Sequence, residues 1–250
     1  MSGQRPAPIA VLIASMPFRT IALLEQPRRV EQPRRARRLR AAPAAYRFLD
    51  VLIAAVVLIL CLPLLLLACL AIRLEGGGPA IFRQLRLGRN KQPFTVYKFR
   101  TMGLAADPEV HRRYVEQLIA GEETSYGVRA GPDLYKLVTD DRVTRVGRLL
   151  RRTSVDELPQ IFDVLRGHMS LVGPRPVIPY EARLYPASYD RRFAVKPGLT
   201  GLWQVNGRNE RTYREMMELD VVWVERQSLW LYLSILARTP WALLRRRGAA

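Results

Sequence analysis

The sequence predicts a mostly helical α+β protein held at a membrane. Three features predict it: one long uncharged run, a short stretch of alternating β-branched and aromatic residues around a turn, and basic amphipathic segments beyond it. A length of 250 residues allows one ordinary domain with appendages and excludes a large multidomain machine. With 40 Lys and Arg against 22 Asp and Glu the formal charge is +18, which favours anionic partners: nucleic acid, acidic headgroups or phosphorylated substrates. Hydrophobic residues at 49 % and charged ones at 25 % exclude both a disordered basic tail and a bundle of membrane spans. Cys61 and Cys69 share one apolar run, so they make neither a disulfide framework nor a zinc site, and the polar part reads as cytosolic.

Residues 1–45 read as a flexible basic leader, with Arg28, Arg29, Arg34, Arg35, Arg37, Arg38 and Arg40 set among Pro27, Pro33 and Pro43. Its apolar patch from Ile9 to Met16 is short for a signal peptide and runs straight into Pro17 and Arg19. A start codon placed too far upstream explains it equally well.

Residues 46–75 form the membrane element. Val51 to Ile72 are 22 consecutive uncharged residues, enough at about 1.5 Å each to cross a hydrocarbon core of about 30 Å. A single span satisfies that length. Two features oppose it. Basic residues flank both ends, Arg47 on one side and Arg73, Arg83, Arg86, Arg89 and Lys91 on the other, and a span strands one set outside. Pro63 divides the run and removes one helical hydrogen bond, which kinks or breaks a helix. A helix that enters, bends at Pro63 and returns keeps both flanks on one anionic surface. Spanning helices also tolerate proline, so these residues alone leave span and hairpin open.

Residues 76–250 read as the folded domain. After Gly76, Gly77, Gly78 and Pro79, the pattern predicts a β-hairpin of about 80–86 with 93–100 around a Gly88–Asn90 turn. Lys98 and Arg100 end it as a basic cluster, whose plain reading is a solvated strand end near anionic lipid. From Arg142 to Arg152, helical spacing puts Val143, Val146, Leu149 and Leu150 on one face among five arginines, suited to a membrane surface. Near the C-terminus, Trp223, Trp230, Tyr232 and Trp241 accompany a run from Leu229 to Ala237 that is too short to span. Such aromatics serve equally as headgroup-level anchors or as core.

The chemistry concentrates in residues 151–176, RRTSVDELPQIFDVLRGHMSLVGPRP. Asp156 and Glu157 are adjacent carboxylates that diverge by about 100° on a helix and so can do two jobs on one ligand. Ser154 with Glu157 also fits a capping box that starts a helix through Ile161, Phe162, Val164 and Leu165. The readings are compatible, because a helix N-terminus holds an anion and keeps a nearby carboxylate ionised. An ionised carboxylate is a competent nucleophile toward phosphorus. Pro174 and Pro176 fix the backbone around Arg175, whose guanidinium fork matches phosphate oxygens; a rigid turn with a solvated Arg is the plainer account. Residues 196–208, KPGLTGLWQVNGR, join a glycine-rich turn to amide and basic side chains, a surface for a diphosphate or a base. They form no Walker loop or dinucleotide fingerprint. His111 and His168 are isolated and begin no metal motif.

Taken together, DVLIAAVVLILCLP, FRQLRLGRN, VYKFRTM, DDRVTRVGRLLRRTSVDELPQIFDVLRGHMSLVGPRP and KPGLTGLWQVNGR resemble, in order and spacing, the bacterial monotopic polyprenyl-phosphate phosphoglycosyl transferases, also called bacterial sugar transferases or initiating glycosyltransferases. The resemblance covers residues 46–250. It implies a re-entrant helix broken at a proline matching Pro63, with the catalytic domain on the cytoplasmic face of the bacterial inner membrane. It implies transfer of a sugar 1-phosphate from a UDP-sugar to undecaprenyl phosphate with release of UMP, at the start of polysaccharide or glycan assembly. Asp156 matches the family's nucleophile, which forms a covalent phosphosugar intermediate, and Glu157 matches its partner. Mg²⁺ is the implied cofactor, contacting Asp156 and the diphosphate. Lys98, Arg151 and Arg175 match basic positions around substrate phosphates; Arg100, Gln204, Asn206 and Arg208 are further substrate-binding candidates. The implied partners are the two substrates and membrane lipids, with no nucleic acid and with a homo-oligomer as an open alternative. The chain departs from many small members at Leu62, where they carry serine, and only the basic leader precedes the membrane helix where larger members have several spans. A noncatalytic, membrane-associated nucleic-acid or scaffold protein is the competing expectation from the charge alone. No recognisable nucleic-acid module accompanies that charge.

Overall fold

The computed structural model describes residues 42–104, 109, 112, 113, 142–207 and 211–244. Nearly all of the leader, together with His111 and Arg208, lies outside the described residues.

Helix α1, Ala42–Gly76, is 35 residues long. The interruption expected at Pro63 is not seen: helical assignment continues through it. A proline withdraws a single donor, and the turns on either side of an otherwise apolar helix can hold the path. Burial varies along the helix. Asp50 and Ala54 are buried near one end and Leu65, Ala68 and Ile72 near the other, whereas Ile59 and Leu60 between them are 71 % and 73 % exposed.

Each end of α1 is tied to the folded domain by polar groups. At the start, the Arg47 guanidinium donates to the carbonyls of Val164 at 2.5 Å and Leu165 at 2.7 Å. The buried Asp50 carboxylate accepts from Ser170 Oγ at 3.0 Å, Leu171 N–H at 2.7 Å and Tyr232 O–H at 2.7 Å. Tyr46 stacks on Tyr232 at 5.1 Å, and burial holds the Tyr232 hydroxyl well above its ordinary pKa, with Asp50 adding to the shift. At the far end, Arg100 donates to the carbonyl of Ile72 in the last turn of the helix and to that of Gly77 just past it, tying the helix end to the end of the hairpin. Glu75 accepts the Val146 N–H at 3.1 Å. Leu65, Ala68 and Ile72 then join Ala80, Phe99, Leu150 and Val155 in one apolar cluster.

The hairpin forms close to its expected bounds: β1, Ile81–Leu87, pairs antiparallel with β2, Pro93–Phe99. Asn90 and Lys91 turn the chain in left-handed conformation. Register places Phe82 opposite Lys98, Gln84 opposite Val96 and Arg86 opposite Phe94, so these six side chains share one face.

Helix α2, Arg145–Thr153, is capped by Thr144, which accepts from Gly147 N–H at 2.9 Å. Its expected apolar face is kept at Leu150 and at Val146, which packs against the apolar cluster, and differs at Leu149 and Val143. Gly147 and Leu150 are buried and Leu149 is 62 % exposed, while Val143 precedes the helix and bridges to Met102. Gly147 turns this face inward: a Cβ there would lie 2.1 Å from the Thr101 carbonyl oxygen, so the helix packs directly on the strand end. A 3₁₀ segment, Val155–Gln160, leads into α3, Ile161–Arg166. The expected Ser154–Glu157 capping box is absent. Ser154 is left-handed at φ 58° and closes α2, and its side chain caps nothing in the following turn. A capping box does occur at Thr212 and Glu215, starting α6, Tyr213–Arg226.

Two three-residue strands, β3 (Ser170–Val172) and β4 (Gly198–Thr200), form a parallel pair too short to show a period in sequence. Between them lie α4, Pro179–Arg183, and a 3₁₀ segment, Ala187–Ala194; α5, Leu202–Val205, follows β4. The chain closes with α7, Leu229–Leu244. The C-terminal aromatics divide, with Trp223 and Tyr232 in the core and Trp230 and Trp241 exposed.

Asp163 on α3 is fully buried and accepts the Tyr97 N–H at 3.3 Å, joining the hairpin to the helices. Burial raises its pKa to about 6, against the opposing pull of that hydrogen bond and of Arg166 and His168. The folded state therefore binds more protons than the unfolded one between the ordinary aspartate pKa and about 6, and stability falls as pH rises through that window. Asp163→Asn keeps an acceptor and removes the charge. Denaturation of the detergent-solubilised variant is expected to lose this pH slope and to show up to roughly 3 kcal/mol of extra stability at pH 8. A slope equal to the parent's would contradict this account.

Candidate active site

A cleft opens where the hairpin, the 3₁₀ segment and the β3–β4 region meet, lined among others by Arg86, Lys98, Glu157, Arg175 and Gln204. Lys98 Nζ lies 2.9 Å from Glu157 Oε1, and Arg175 Nη1 lies 3.5 Å from the same oxygen. All three side chains are only about a fifth exposed, at 18 %, 18 % and 21 %. Burial pushes the Lys98 ammonium below its usual pKa; Glu157 opposes that, Arg175 and Arg86 add to it, and Asp156 opposes it again. Asp156 is half-buried at the head of the 3₁₀ segment. One lysine thus senses both carboxylates: Glu157 takes the two cations directly, and the adjacent Asp156 adds a smaller electrostatic pull.

The loop that carries Arg175 is held at its backbone. The Arg175 carbonyl accepts from Arg192 Nη2 at 2.9 Å. Arg192 and Asp220 form a fully buried ion pair at 2.5 Å. At the base of the loop, Gly173 and Gly198 approach so closely that a Cβ on Gly198 would lie 2.0 Å from Gly173 N.

The remaining predicted residues separate. Gln204 reaches the cleft; its Nε2 donates to the Leu199 carbonyl at 3.2 Å, while its buried Oε1 has no partner and suits a donor group on a ligand. Asn206 instead donates to the Leu202 carbonyl at 2.8 Å and closes α5. Arg100 holds the end of α1, and Arg151 Nε donates to Thr101 Oγ1 at 2.9 Å on the flank of the hairpin. Sequence reading missed Arg86 as a site residue by placing it in the basic flank. It is buried and donates to the Pro176 carbonyl at 3.0 Å and to Gln84 Oε1. Strand period was the available signal, since residues 82, 84 and 86 share a face with 94, 96 and 98.

Among the described residues, no three His, Cys, Asp or Glu side chains gather as a metal cluster. Glu157 is engaged by two cations, and the adjacent Asp156 is the second carboxylate at the site, to which a substrate would add its own oxygens. That suits Mg²⁺, which commonly binds through one or two carboxylates together with substrate phosphates.

A cation-lined cleft at Glu157, with Asp156 next to it in the chain and a long apolar helix in the same fold, is an arrangement suited to binding phosphate anions. The chain belongs to the bacterial sugar transferase family, whose model matches residues 41–246. It is 39 % identical over 203 residues to the undecaprenyl-phosphate galactose phosphotransferase of Salmonella typhimurium, covering 81 % of this chain and 41 % of that protein. It is 44 % identical over 207 residues to the UDP-glucose:undecaprenyl-phosphate glucose-1-phosphate transferase of Caulobacter vibrioides, covering 79 % and 69 %. It is 38 % identical over 212 residues to the exopolysaccharide production protein ExoY of Rhizobium meliloti, covering 82 % and 88 %. The chain therefore spans about two fifths of the Salmonella relative and most of the length of the other two.

Proposed function

We propose that this protein transfers a sugar 1-phosphate from a UDP-sugar to undecaprenyl phosphate, as an early membrane step of polysaccharide assembly. The observation that carries the reading is the Lys98–Glu157–Arg175 cluster beside Asp156. The activities in the names of the Salmonella and Caulobacter relatives agree with it. An Asp156 carboxylate oxygen attacks the donor's β-phosphorus, the bond from that phosphorus to the bridging oxygen breaks, and UMP leaves with that oxygen. A phosphate oxygen of the lipid then attacks the same phosphorus and releases Asp156 as the carboxylate. Both steps bring an anion onto an anion. At 4 Å two unit charges repel by about 4 kcal/mol at an effective dielectric near 20, roughly a thousandfold in rate. Lys98, Arg175 and Arg86 oppose that repulsion. Mg²⁺, held by Asp156 and the donor diphosphate, would supply further charge neutralisation there.

The reading includes a re-entrant membrane helix, residues 46–75, under a cytoplasmic domain, residues 76–250, at the inner membrane. Its support is that Arg47 and Asp50 at one end of α1 and Glu75 at the other hydrogen-bond to the same folded domain, while Ile59 and Leu60 between them are exposed. In a spanning helix these ends would lie on opposite sides of about 30 Å of hydrocarbon. A cysteine introduced into the leader is expected to resist impermeant maleimide in intact cells; labelling there would establish a span. Purified protein with Mg²⁺, undecaprenyl phosphate and a panel of UDP-sugars is expected to release UMP with at least one donor. Release with none would overturn the reading.

A further inference from the structure

The 3₁₀ segment Val155–Gln160 turns with about three residues per turn, so its side chains fall into three rows. Val155 and Leu158 pack into the apolar cluster at the far end of α1. Asp156 and Pro159 form the second row. Glu157 and Gln160 form the third, and both line the cleft. Side chains at i and i+3 eclipse one another in this geometry, so Gln160 stands in line with Glu157, the residue that takes Lys98 and Arg175.

Gln160 is 3 % exposed. It occupies the N-cap position of α3, yet its side chain caps nothing there. A carboxamide at the cleft wall can donate to an oxygen of an anion and accept from a hydroxyl at the same time. Lys98 and Arg175 cannot, because ammonium and guanidinium groups only donate. A second carboxamide has an unspent acceptor: Gln204 on α5 commits its Nε2 to the Leu199 carbonyl, and its buried Oε1 has no partner. An ionised phosphate offers acceptors alone, so an O–H or N–H elsewhere on a ligand must meet that oxygen. One cleft thus carries cations for a phosphate and amides for a hydroxyl-bearing neighbour of that phosphate.

We propose that Gln160 contacts the donor at the junction between its transferred phosphate and its sugar. The Nε2 group donates to a non-bridging phosphate oxygen, and Oε1 accepts from a hydroxyl of the sugar ring. Gln160 then adds a neutral donor to the cations that face the phosphoryl group, and it makes the sugar part of what the cleft recognises. The assignment rests on the transferase reading above.

The two halves of the donor separate this contact from general support of the cleft. A hexose 1-phosphate carries the phosphate and the sugar, whereas UMP carries neither. Gln160→Met keeps the length of the side chain without donor or acceptor, and Gln160→Glu keeps an acceptor but loses both N–H groups. In the full chain in detergent micelles, calorimetry is expected to show that the parent binds glucose 1-phosphate or galactose 1-phosphate. Gln160→Met should weaken that binding at least tenfold while UMP binding changes less than twofold. Gln160→Glu should weaken it at least as much, because its carboxylate faces the phosphate, and both variants should keep the parent's thermal midpoint within a few degrees. Equal losses for UMP and sugar 1-phosphate would overturn the proposal in favour of a residue that only supports the cleft. No sugar 1-phosphate binding by the parent, or unchanged binding by Gln160→Met, would also overturn it, and UMP release by the parent would still leave the transferase reading standing. The selective loss without UMP release from any donor would uphold the contact and overturn the reaction.

Discussion

Asp156→Asn is expected to lower UMP release by three orders of magnitude or more with every donor, because the amide retains the size of the side chain and removes the nucleophile. Folding should be preserved: Asp156 is half-buried at the head of a 3₁₀ segment, and the core contacts of that segment come from Val155 and Pro159. Glu157→Gln gives the contrasting result. It weakens the anchor for Lys98 and Arg175 but leaves Asp156 in place, so turnover is expected to fall by a smaller factor, about ten- to a hundredfold. Mass spectrometry of the parent mixed with donor and no acceptor is expected to find sugar phosphate on the peptide containing Asp156. Normal turnover by Asp156→Asn would remove the two-step chemistry and leave the cleft to bind phosphates for some direct transfer.

Sequence and structure agree most closely where a short period governs the chain. The hairpin lies within about a residue of its expected bounds because β-branched and aromatic alternation and the turn around Gly88 both act locally. The family resemblance grouped Lys98, Glu157, Arg175 and Gln204 around one substrate, and they line one cleft although they are far apart in the chain. The differences have particular physical origins. Helical spacing puts Leu149 on one apolar face with Val146 and Leu150, but close packing of Gly147 on Thr101 turns the Val146, Gly147 and Leu150 side inward and leaves Leu149 exposed. The S-x-x-E pattern at Ser154 reads as a cap, but Ser154 is left-handed, and Glu157 goes to Lys98 and Arg175. Arg86 and Arg100 look alike in sequence as basic residues near a membrane helix. One is buried in the cleft and the other terminates α1, a distinction set by strand register and a helix end far away in sequence. The β3–β4 pair was invisible because three residues carry no period, yet it brings Gly173 against Gly198 and so places the Arg175 loop.

That loop depends on a pair of residues no motif singles out. Arg192 and Asp220 are each about 1 % exposed and lie 2.5 Å apart, and Arg192 also holds the carbonyl of Arg175. Removing one member leaves the other charged and buried without its counter-ion, which typically costs about 3–5 kcal/mol. Asp220→Ala is therefore expected to lower the thermal midpoint sharply and to reduce the yield of folded protein. Because a destabilised variant also loses activity, the informative comparison is Arg192→Lys. A lysine keeps the charge for Asp220 but lacks the guanidinium fork that contacts Asp220 and the Arg175 carbonyl together. The expected result is a smaller loss of stability, about 1–2 kcal/mol for a weakened buried contact, with a rise in the donor KM as Arg175 moves relative to Glu157. Addition of Arg175→Ala to Arg192→Lys should then cost little further in donor affinity, because the first change has already released that guanidinium. Full additivity of the two changes would mean that Arg192 supports the fold alone and does not set the position of Arg175.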